Sequence, residues 1–287
     1  MNELIASVFS GLIIDENDEN YFIQKNGQTF KLKKTDKKYE LGEAVEGFGY
    51  VNQQHEAVLT TEIPKIRKGH YAFAKVVEVR RDLGVFVDIG LPDKDIALSL
   101  DELPEMHELW PKKGDCLMVS LRVDDKGRIW ACLAEEMIFQ SLKRPADKEM
   151  KNKDIRARVY RLKLVGTYVL TDDYNIGFIH PSERYREPRL GEYVAGRVIG
   201  VRPDGILNLS LKPRAYEVIS EDAQMIYAYL EQQENQSMPF TDKSAPEEIK
   251  KLFGISKAQF KRALGNLMKK GLIVQEKGMT KVISKTQ

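Results

Sequence analysis

The chain has 287 residues, 42% of them apolar and 31% charged, a balance that excludes a disordered or fibrous polymer. Cys116 and Cys132 are too few for a disulfide framework and too isolated for a zinc site. No stretch approaches the roughly 18 apolar residues of a membrane span, and Met1 to Phe9 lacks the basic flank and apolar run of a secretory signal. A cytoplasmic, reduced setting without a membrane partner is therefore expected.

The first segment, 1–65, is acidic, with 7 Lys and Arg against 11 Asp and Glu. Asn20-Tyr21-Phe22-Ile23-Gln24 reads as a strand. A second strand opens at Gly42-Glu43-Ala44-Val45-Glu46-Gly47, and its unit closes near Val58-Leu59-Thr60. Segment 66–138, with 11 basic and 14 acidic residues, repeats that order more clearly. It carries Gly84-Val85-Phe86-Val87-Asp88-Ile89, then Lys113-Gly114-Asp115-Cys116-Leu117-Met118-Val119, then Gly127-Arg128-Ile129-Trp130-Ala131-Cys132-Leu133. Segment 139–214 repeats it again, with Gly166-Thr167-Tyr168-Val169-Leu170-Thr171, Leu190-Gly191-Glu192-Tyr193-Val194 and Gly205-Ile206-Leu207-Asn208-Leu209-Ser210-Leu211. In the latter two, a Gly-acid pair opens a strand, a turn containing Asp-Gly or Lys-Gly follows, and another strand closes the unit. Short strands rich in Val, Ile, Tyr and Phe, punctuated by Gly, Asp and Asn, predict a closed or nearly closed antiparallel barrel for each repeat. Five strands per unit would bury a small core and leave few open edges. The third segment differs in charge, with 16 basic against 9 acidic residues, and would attract a polyanion most strongly.

After Pro213 the period changes from two to 3.6. Met225, Ile226, Tyr229 and Leu230 recur at helical spacing over Glu221–Glu231, with Ser220 as N-cap. A polar loop with Pro239 and Asp242 follows, then a short helix from Ala245 to Phe253 and a turn at Gly254. Ser256 caps a third helix over Lys257–Lys270, which turns Phe260, Leu264 and Leu267 inward and ends at Gly271. Leu272-Ile273-Val274 and Thr280-Lys281-Val282-Ile283, joined through Lys277-Gly278, read as a hairpin. Helix, helix, turn, helix and hairpin make segment 215–287 a winged helix-turn-helix.

The order of the Gly-aromatic strand, Gly177-Phe178-Ile179-His180-Pro181-Ser182-Glu183, the Gly-acid strand and Leu207-Asn208-Leu209-Ser210-Leu211-Lys212 resembles the S1 RNA-binding domain, an OB-type barrel. Segment 69–134 resembles it comparably, and 1–62 in outline. With the winged helix added, the whole chain resembles the conserved virulence factor B (CvfB-like) family. That resemblance implies three tandem S1/OB-type five-stranded barrels followed by a winged helix, and a post-transcriptional role in virulence-factor expression.

Barrels of this class stack bases on outward aromatics within a basic groove. Over 84–90, Val85, Val87 and Ile89 share one strand face while Phe86 and Asp88 share the other, so Phe86 is a candidate platform. Tyr168 holds the matching position, although Leu170 shares its face, and Phe22 is the weaker equivalent. The S1 resemblance further implies an aromatic before the strand glycine, a His on the third strand, and an Asp and an Arg near the last turn. Here the pre-glycine residues are Leu83 and Val165. His180 matches in the third repeat, where the second has Ser99. Asp124 and Arg128 match in the second, where the third has Arg202 and Ile206. Neither repeat carries a full platform, which points to tandem modules acting through avidity. Arg156, Arg158, Arg161, Lys163, Arg184, Arg186, Arg189 and Arg197 would neutralise phosphates without reading sequence. Alternation puts Arg156 and Arg158 on one strand face. The third helix of the winged domain presents Lys257, Lys261, Arg262, Lys269 and Lys270 with no acidic residue, suited to a DNA groove, to RNA or to a neighbouring module.

No GxxxxGK[ST] loop, HExxH or Cys-x-x-Cys occurs, and His55, His70, His107 and His180 are scattered among the repeats. A non-catalytic, monomeric RNA-binding protein without metal or cofactor is expected, with single-stranded RNA as its partner. Two alternatives stay open: a DNA-binding regulator acting through the winged helix, and a scaffold contacting the ribosome or its associated proteins.

Overall fold

The computed structural model describes residues 3–213 and 220–283 and divides into two compact units, Met1–Leu211 and Lys212–Gln287. In the first unit each repeat closes into a barrel of five strands. The first contains β1 (Ser7–Glu16), β2 (Asn20–Lys25), β3 (Gln28–Lys33), β4 (Ala44–Val51) and β5 (Ala57–Thr60), ordered β1-β2-β3-β5-β4. The second repeats that order with β6 (Ala72–Arg80), β7 (Gly84–Asp88), β8 (Ile96–Ser99), β9 (Cys116–Val123) and β10 (Ile129–Leu133). After helix α1 (Glu136–Leu142), the third does so with β11 (Asp154–Lys163), β12 (Gly166–Thr171), β13 (Ile176–Ile179), β14 (Tyr193–Val201) and β15 (Leu207–Ser210).

The barrels are antiparallel except between their third and fifth strands, which pair in parallel at Lys31 with Val58, Leu98 with Ala131, and Phe178 with Asn208. A ring with an odd number of strands cannot alternate direction all the way round, so closing five strands forces one such pair. Alternation along each strand fills the interiors: Val85, Val87 and Ile89 in the second barrel, and Val159, Val169 and Ile179 in the third, are all buried. The first strand of every barrel carries a register shift, between Ile13 and Asp15, Val76 and Glu78, and Val159 and Arg161. A bulge there bends the strand, so that it can pair with the second strand at one end and the fourth at the other.

The barrels are joined by specific contacts. Buried residues of the first two form one continuous apolar cluster. At their seam the Tyr50 hydroxyl donates to Asp93 (2.8 Å) and Lys94 Nζ donates to the Val51 carbonyl (2.6 Å). Between the second and third, Met118, Ala134, Phe139, Leu170 and Ile176 form a separate buried cluster. Leu170 and Ile176 face each other across β12 and β13 on the outer side of the barrel, and this cover accounts for the break in alternation near Tyr168. Each such buried aliphatic side chain contributes about 1.5–3 kcal/mol. Phe139 of α1 stacks on Tyr160, with ring centroids 3.9 Å apart, and the Tyr160 hydroxyl donates to Glu136 (3.2 Å). Arg189 completes the joint. Its guanidinium lies 3.2 Å from Asp115 and 3.3 Å from Glu192, and all three side chains are largely buried.

The second unit contains α2 (Glu221–Gln232), β16 (Ser237–Met238), α3 (Pro246–Phe253), α4 (Lys257–Lys269), β17 (Ile273–Glu276) and β18 (Met279–Val282), with sheet order β16-β18-β17. Ser220 occupies the N-cap position of α2, but its side chain makes no capping bond. Gly254, at φ 71°, ends α3 in the left-handed conformation. Ser256 and Gln259 form a reciprocal capping box that starts α4. Ile226, Leu230, Ile249, Phe260, Leu264 and Leu267 fill the core, so α4 buries one stripe and leaves its opposite face exposed. Among the described residues no helix is long and apolar enough to cross a membrane.

Candidate nucleic-acid interface

Strand pairing generates equivalent rows of outward side chains on the three barrels. In the third, the row runs Arg161, Tyr168, Phe178, Asn208. In the second it runs Glu78, Phe86, Ala97 and then, by the parallel register next to β8, Trp130. In the first it runs Asp15, Phe22, Lys31, Val58. Phe22, Phe86, Tyr168, Phe178 and Trp130 are all half-buried. Each ring is seated on its barrel and still accessible, as stacking requires.

The row on the third barrel is the most developed. Tyr168 meets Phe178 edge-on, with centroids 5.1 Å apart, and Lys163 lies 5.1 Å over the Tyr168 ring. The Arg202 guanidinium sits 4.6 Å over Phe178 and donates from Nε to Asn208 Oδ1 at 2.8 Å. His180 lies at the end of β13, its ring centroid 6.5 Å from that of Phe178. Its Nδ1 accepts the Ser182 backbone N–H (3.2 Å) and lies 2.7 Å from Ser182 Oγ. This bond orients the ring, and in the neutral form it places the proton on Nε2 as a donor. Phe178, His180, Ser182, Arg202 and Asn208 line an open cleft of about 370 Å³. Gly166 permits this approach: at φ 148° a Cβ there would lie 2.6 Å from both the Phe178 ring and the Ile179 carbonyl oxygen.

On the second barrel, Asp124 organises the turn between β9 and β10. Its Oδ1 accepts the backbone N–H groups of Lys126 and Arg128 (3.0 and 2.9 Å). Its Oδ2 accepts Arg128 Nε (2.7 Å) and Trp130 Nε1 (3.1 Å). The Arg128 backbone bond, with help from the Trp130 and Arg128 side chains, holds the Asp124 carboxyl well below the usual carboxylate range. Arg128 and Arg122 lie over the Trp130 ring at 5.3 and 6.0 Å. The pair Asp124–Trp130 thus corresponds to Arg202–Asn208 in the third barrel. Each residue of the turn bonds the outward residue six positions later, but one barrel carries its aromatic on the last strand and the other on the third.

The candidates from sequence fall into three groups. Tyr168 and His180 come together around Phe178, and Asp124 and Arg128 around Trp130, while Phe86 stands on the same row as Trp130. Arg156, Arg158 and Arg197 lie elsewhere, on the outer face of β11 and β14. There Arg158 pairs with Asp172 at 3.1 Å and lies over the Phe73 and Tyr193 rings at 5.2 and 4.6 Å. Arg184 and Arg186 are tied to Glu187 and Glu192, and Arg189 is built into the joint. In the second unit Lys261, Arg262 and Lys269 are exposed on α4, and Lys257 is half-buried. Trp130, Phe178, Arg202 and Asn208 were not singled out as contact residues by the sequence reasoning, although Trp130 between Ile129 and Ala131, and Phe178 between Gly177 and Ile179, carry the same period-two signal as Phe86.

Three barrels with outward aromatic rows, followed by a winged helix, define a modular protein of S1-like and winged-helix domains. Residues 8–62 match the S1 domain, 71–132 the CvfB first S1-like domain, 139–213 the second domain of virulence regulatory factor CvfB, and 224–282 the CvfB-like winged helix domain. The chain is 43% identical over 267 residues to the uncharacterised protein YitL of Bacillus subtilis, covering 92% of this chain and 89% of that one. It is 40% identical over 282 residues to conserved virulence factor B of Staphylococcus epidermidis, covering 96% and 94%. A crystal structure from Streptococcus pneumoniae, described as a multidomain protein with nucleic acid binding domains, is similar over 99% of this chain and 100% of its own, with 53% identity and a TM-score of 0.72. The chain belongs to the conserved virulence factor B family.

Proposed function

We propose that this protein binds single-stranded RNA without catalysing a reaction, through the outward faces of its second and third barrels, and acts in the cytoplasm in post-transcriptional regulation. The Phe178 cleft carries the proposal: a ring braced by Tyr168 and capped by Arg202, with the donors of His180 and Asn208 beside it. A base can stack on such a ring, while Lys163 and Arg202 neutralise flanking phosphates. Phe86 and Trp130, with Arg122 and Arg128, offer the second barrel an equivalent platform. The first barrel sets Asp15 beside Phe22 as the second sets Glu78 beside Phe86, but the cation of its row, Lys31, is paired with Glu56, whereas Arg122 and Arg128 lie over Trp130, so phosphate is disfavoured on the first barrel. Two weak platforms on joined barrels favour binding by avidity, with little base specificity.

The test is fluorescence anisotropy of the full chain with single-stranded RNA, single-stranded DNA and duplex DNA across a salt series. Tightest binding to single-stranded RNA, falling steeply with salt, is the expected result. Salt-resistant preference for one duplex would instead put readout on the exposed α4 face of Lys261, Arg262 and Lys269, as in a DNA-binding regulator. Absence of binding to all three would make the chain a protein-contact scaffold. In the Phe86→Ala/Tyr168→Ala double variant, unchanged RNA affinity would refute stacking on those rings.

A further inference from the structure

We propose that the first barrel is a protein-docking module, whose outer face of β1 and β4 takes a basic polypeptide segment carrying apolar side chains. Along β1, alternation turns Val8, Ser10, Leu12 and Ile14 outward while Phe9 and Ile13 enter the core. Leu12 is 53% exposed and Ile14 48% exposed. The neighbouring strand sets Ala44 opposite Leu12 and Glu46 opposite Ser10. The Gly42 N–H donates to the Ile13 carbonyl (2.8 Å), which brings Leu41, 63% exposed, to the Ile14 end of the row. Adjacent exposed aliphatic side chains rimmed by charge are the mark of a protein-contact surface.

Comparison with the other two barrels shows what this face does elsewhere. The register shift in the first strand of each barrel makes Ile14, Val77 and Tyr160 equivalent. Counting back from it, Leu12 matches Lys75 and Arg158, and Ser10 matches Phe73 and Arg156. In the third barrel Phe139 of α1 covers Tyr160. In the second, Met118, the cross-strand partner of Phe73, lies in the buried cluster that joins those two barrels, and Phe73 packs against it. The same face therefore already receives other segments of this chain in two barrels. In the first barrel it exposes an aliphatic side chain where the others carry a cation.

Charge decides the class of partner. Strand β1 and residues 40–47 contribute Asp15, Glu16, Glu40, Glu43 and Glu46, and no Lys or Arg. Glu16 pairs with Lys34 at 2.7 Å. Among the described residues the other four form no ion pair, although Asp15 accepts the Glu16 backbone N–H and Glu43 that of Glu40. Lys37 is drawn over the Tyr39 ring. An acidic rim without its own cations repels a phosphate backbone and attracts Lys and Arg, so it selects a basic polypeptide over RNA. Burial of Leu12, Ile14 and Leu41 would supply affinity, and the carboxylates would orient the segment. The inference is independent of the RNA-binding reading and gives the acidic barrel a role of its own.

The experiment selects short random peptides displayed on phage against the immobilised full chain. The most enriched peptide is then synthesised with a fluorescein label and titrated by anisotropy. The row variant is Leu12→Ser/Ile14→Ser and the rim variant is Glu40→Lys/Glu46→Lys, both full length, with thermal melts confirming that each folds. Enriched sequences are expected to set Lys or Arg beside Leu, Ile or Phe. Each variant should bind the labelled peptide roughly tenfold more weakly than the parent. The loss in the rim variant should shrink as salt is raised, and that in the row variant should not. Failure of any sequence to enrich, enrichment of acidic or uncharged sequences, or parental affinity of either variant for the peptide would overturn the inference. A lower affinity of the row variant than of the parent for labelled single-stranded RNA would also overturn it, because the face would then belong to the nucleic-acid surface.

Discussion

Replacing Phe178 with Ala separates stacking from charge at the cleft. The side chain supplies a half-buried ring in edge contact with Tyr168 and faced by Arg202, while Arg202 itself stays tethered to Asn208. Loss of base–aromatic stacking costs about 1–3 kcal/mol per base. A base settling on the face occupied by Arg202 must first displace a cation–π contact of about 0.5–1 kcal/mol, so the lower part of that range applies. A loss of about 1–2 kcal/mol corresponds to a Kd raised roughly 5- to 30-fold. Because Arg202 and Lys163 remain, the dependence of binding on salt should keep its slope. Losing the edge contact with Tyr168 costs the fold about 0.5–1.5 kcal/mol beyond the ring's apolar burial, itself about 1–1.5 kcal/mol for a half-buried ring, so the assay is read on protein that a thermal melt shows to be folded. Anisotropy titrations of a labelled single-stranded RNA at several salt concentrations, alongside a thermal melt, measure all three quantities. An unchanged Kd, or a loss that comes with a shallower salt slope, would refute the assignment of Phe178 as a stacking platform.

Gly166→Ala drives a Cβ into the Phe178 ring and the Ile179 carbonyl at a strained backbone angle. It should destabilise the chain by about 1–3 kcal/mol in chemical denaturation, and an unchanged midpoint would contradict the packing described. Arg189→Ala leaves Asp115 and Glu192 in the joint without their shared cation, and partial exposure trims the cost of breaking a buried pair to about 2–4 kcal/mol. A loss under about 0.5 kcal/mol in the same assay would show that the joint does not depend on that pair. Asp124, whose carboxyl is depressed in the folded chain, contributes stability that is complete above the ordinary carboxylate range near pH 4 and is lost as pH falls toward the lower folded value. Asp124→Asn should therefore flatten the stability profile below about pH 4. An identical acid profile for variant and parent would argue against the hub at the Trp130 turn.

Much of this molecule is legible in short-range pattern. Val85 and Val87 alternate with Phe86, and that alternation alone sends the aliphatic side chains inward and the ring outward. The recurrence of glycine, acid and turn at matched offsets marks three copies of one unit, and the switch in period after Pro213 marks the helical domain. Such features depend on neighbours within a strand or a helix turn. Alternation also put Arg156 and Arg158 on one face, but it could not say which face of the barrel that was. Leu170 looked like a flaw in its strand because the residues that cover it, Met118 and Phe139, come from the preceding barrel and α1. Arg189 looked like a phosphate contact until Asp115, distant in sequence, was brought to within 3.2 Å. Phe178 and Trp130 join the candidate rows because parallel pairing of the third and fifth strands sets Phe178 beside Asn208 and brings Trp130 alongside Ala97 in the row of Phe86. Strand identity and facing follow from local sterics and hydrophobic burial, which the sequence carries by itself. Which outward faces are covered, paired or left open is decided by contacts between residues far apart in the chain, and only the tertiary structure specifies those.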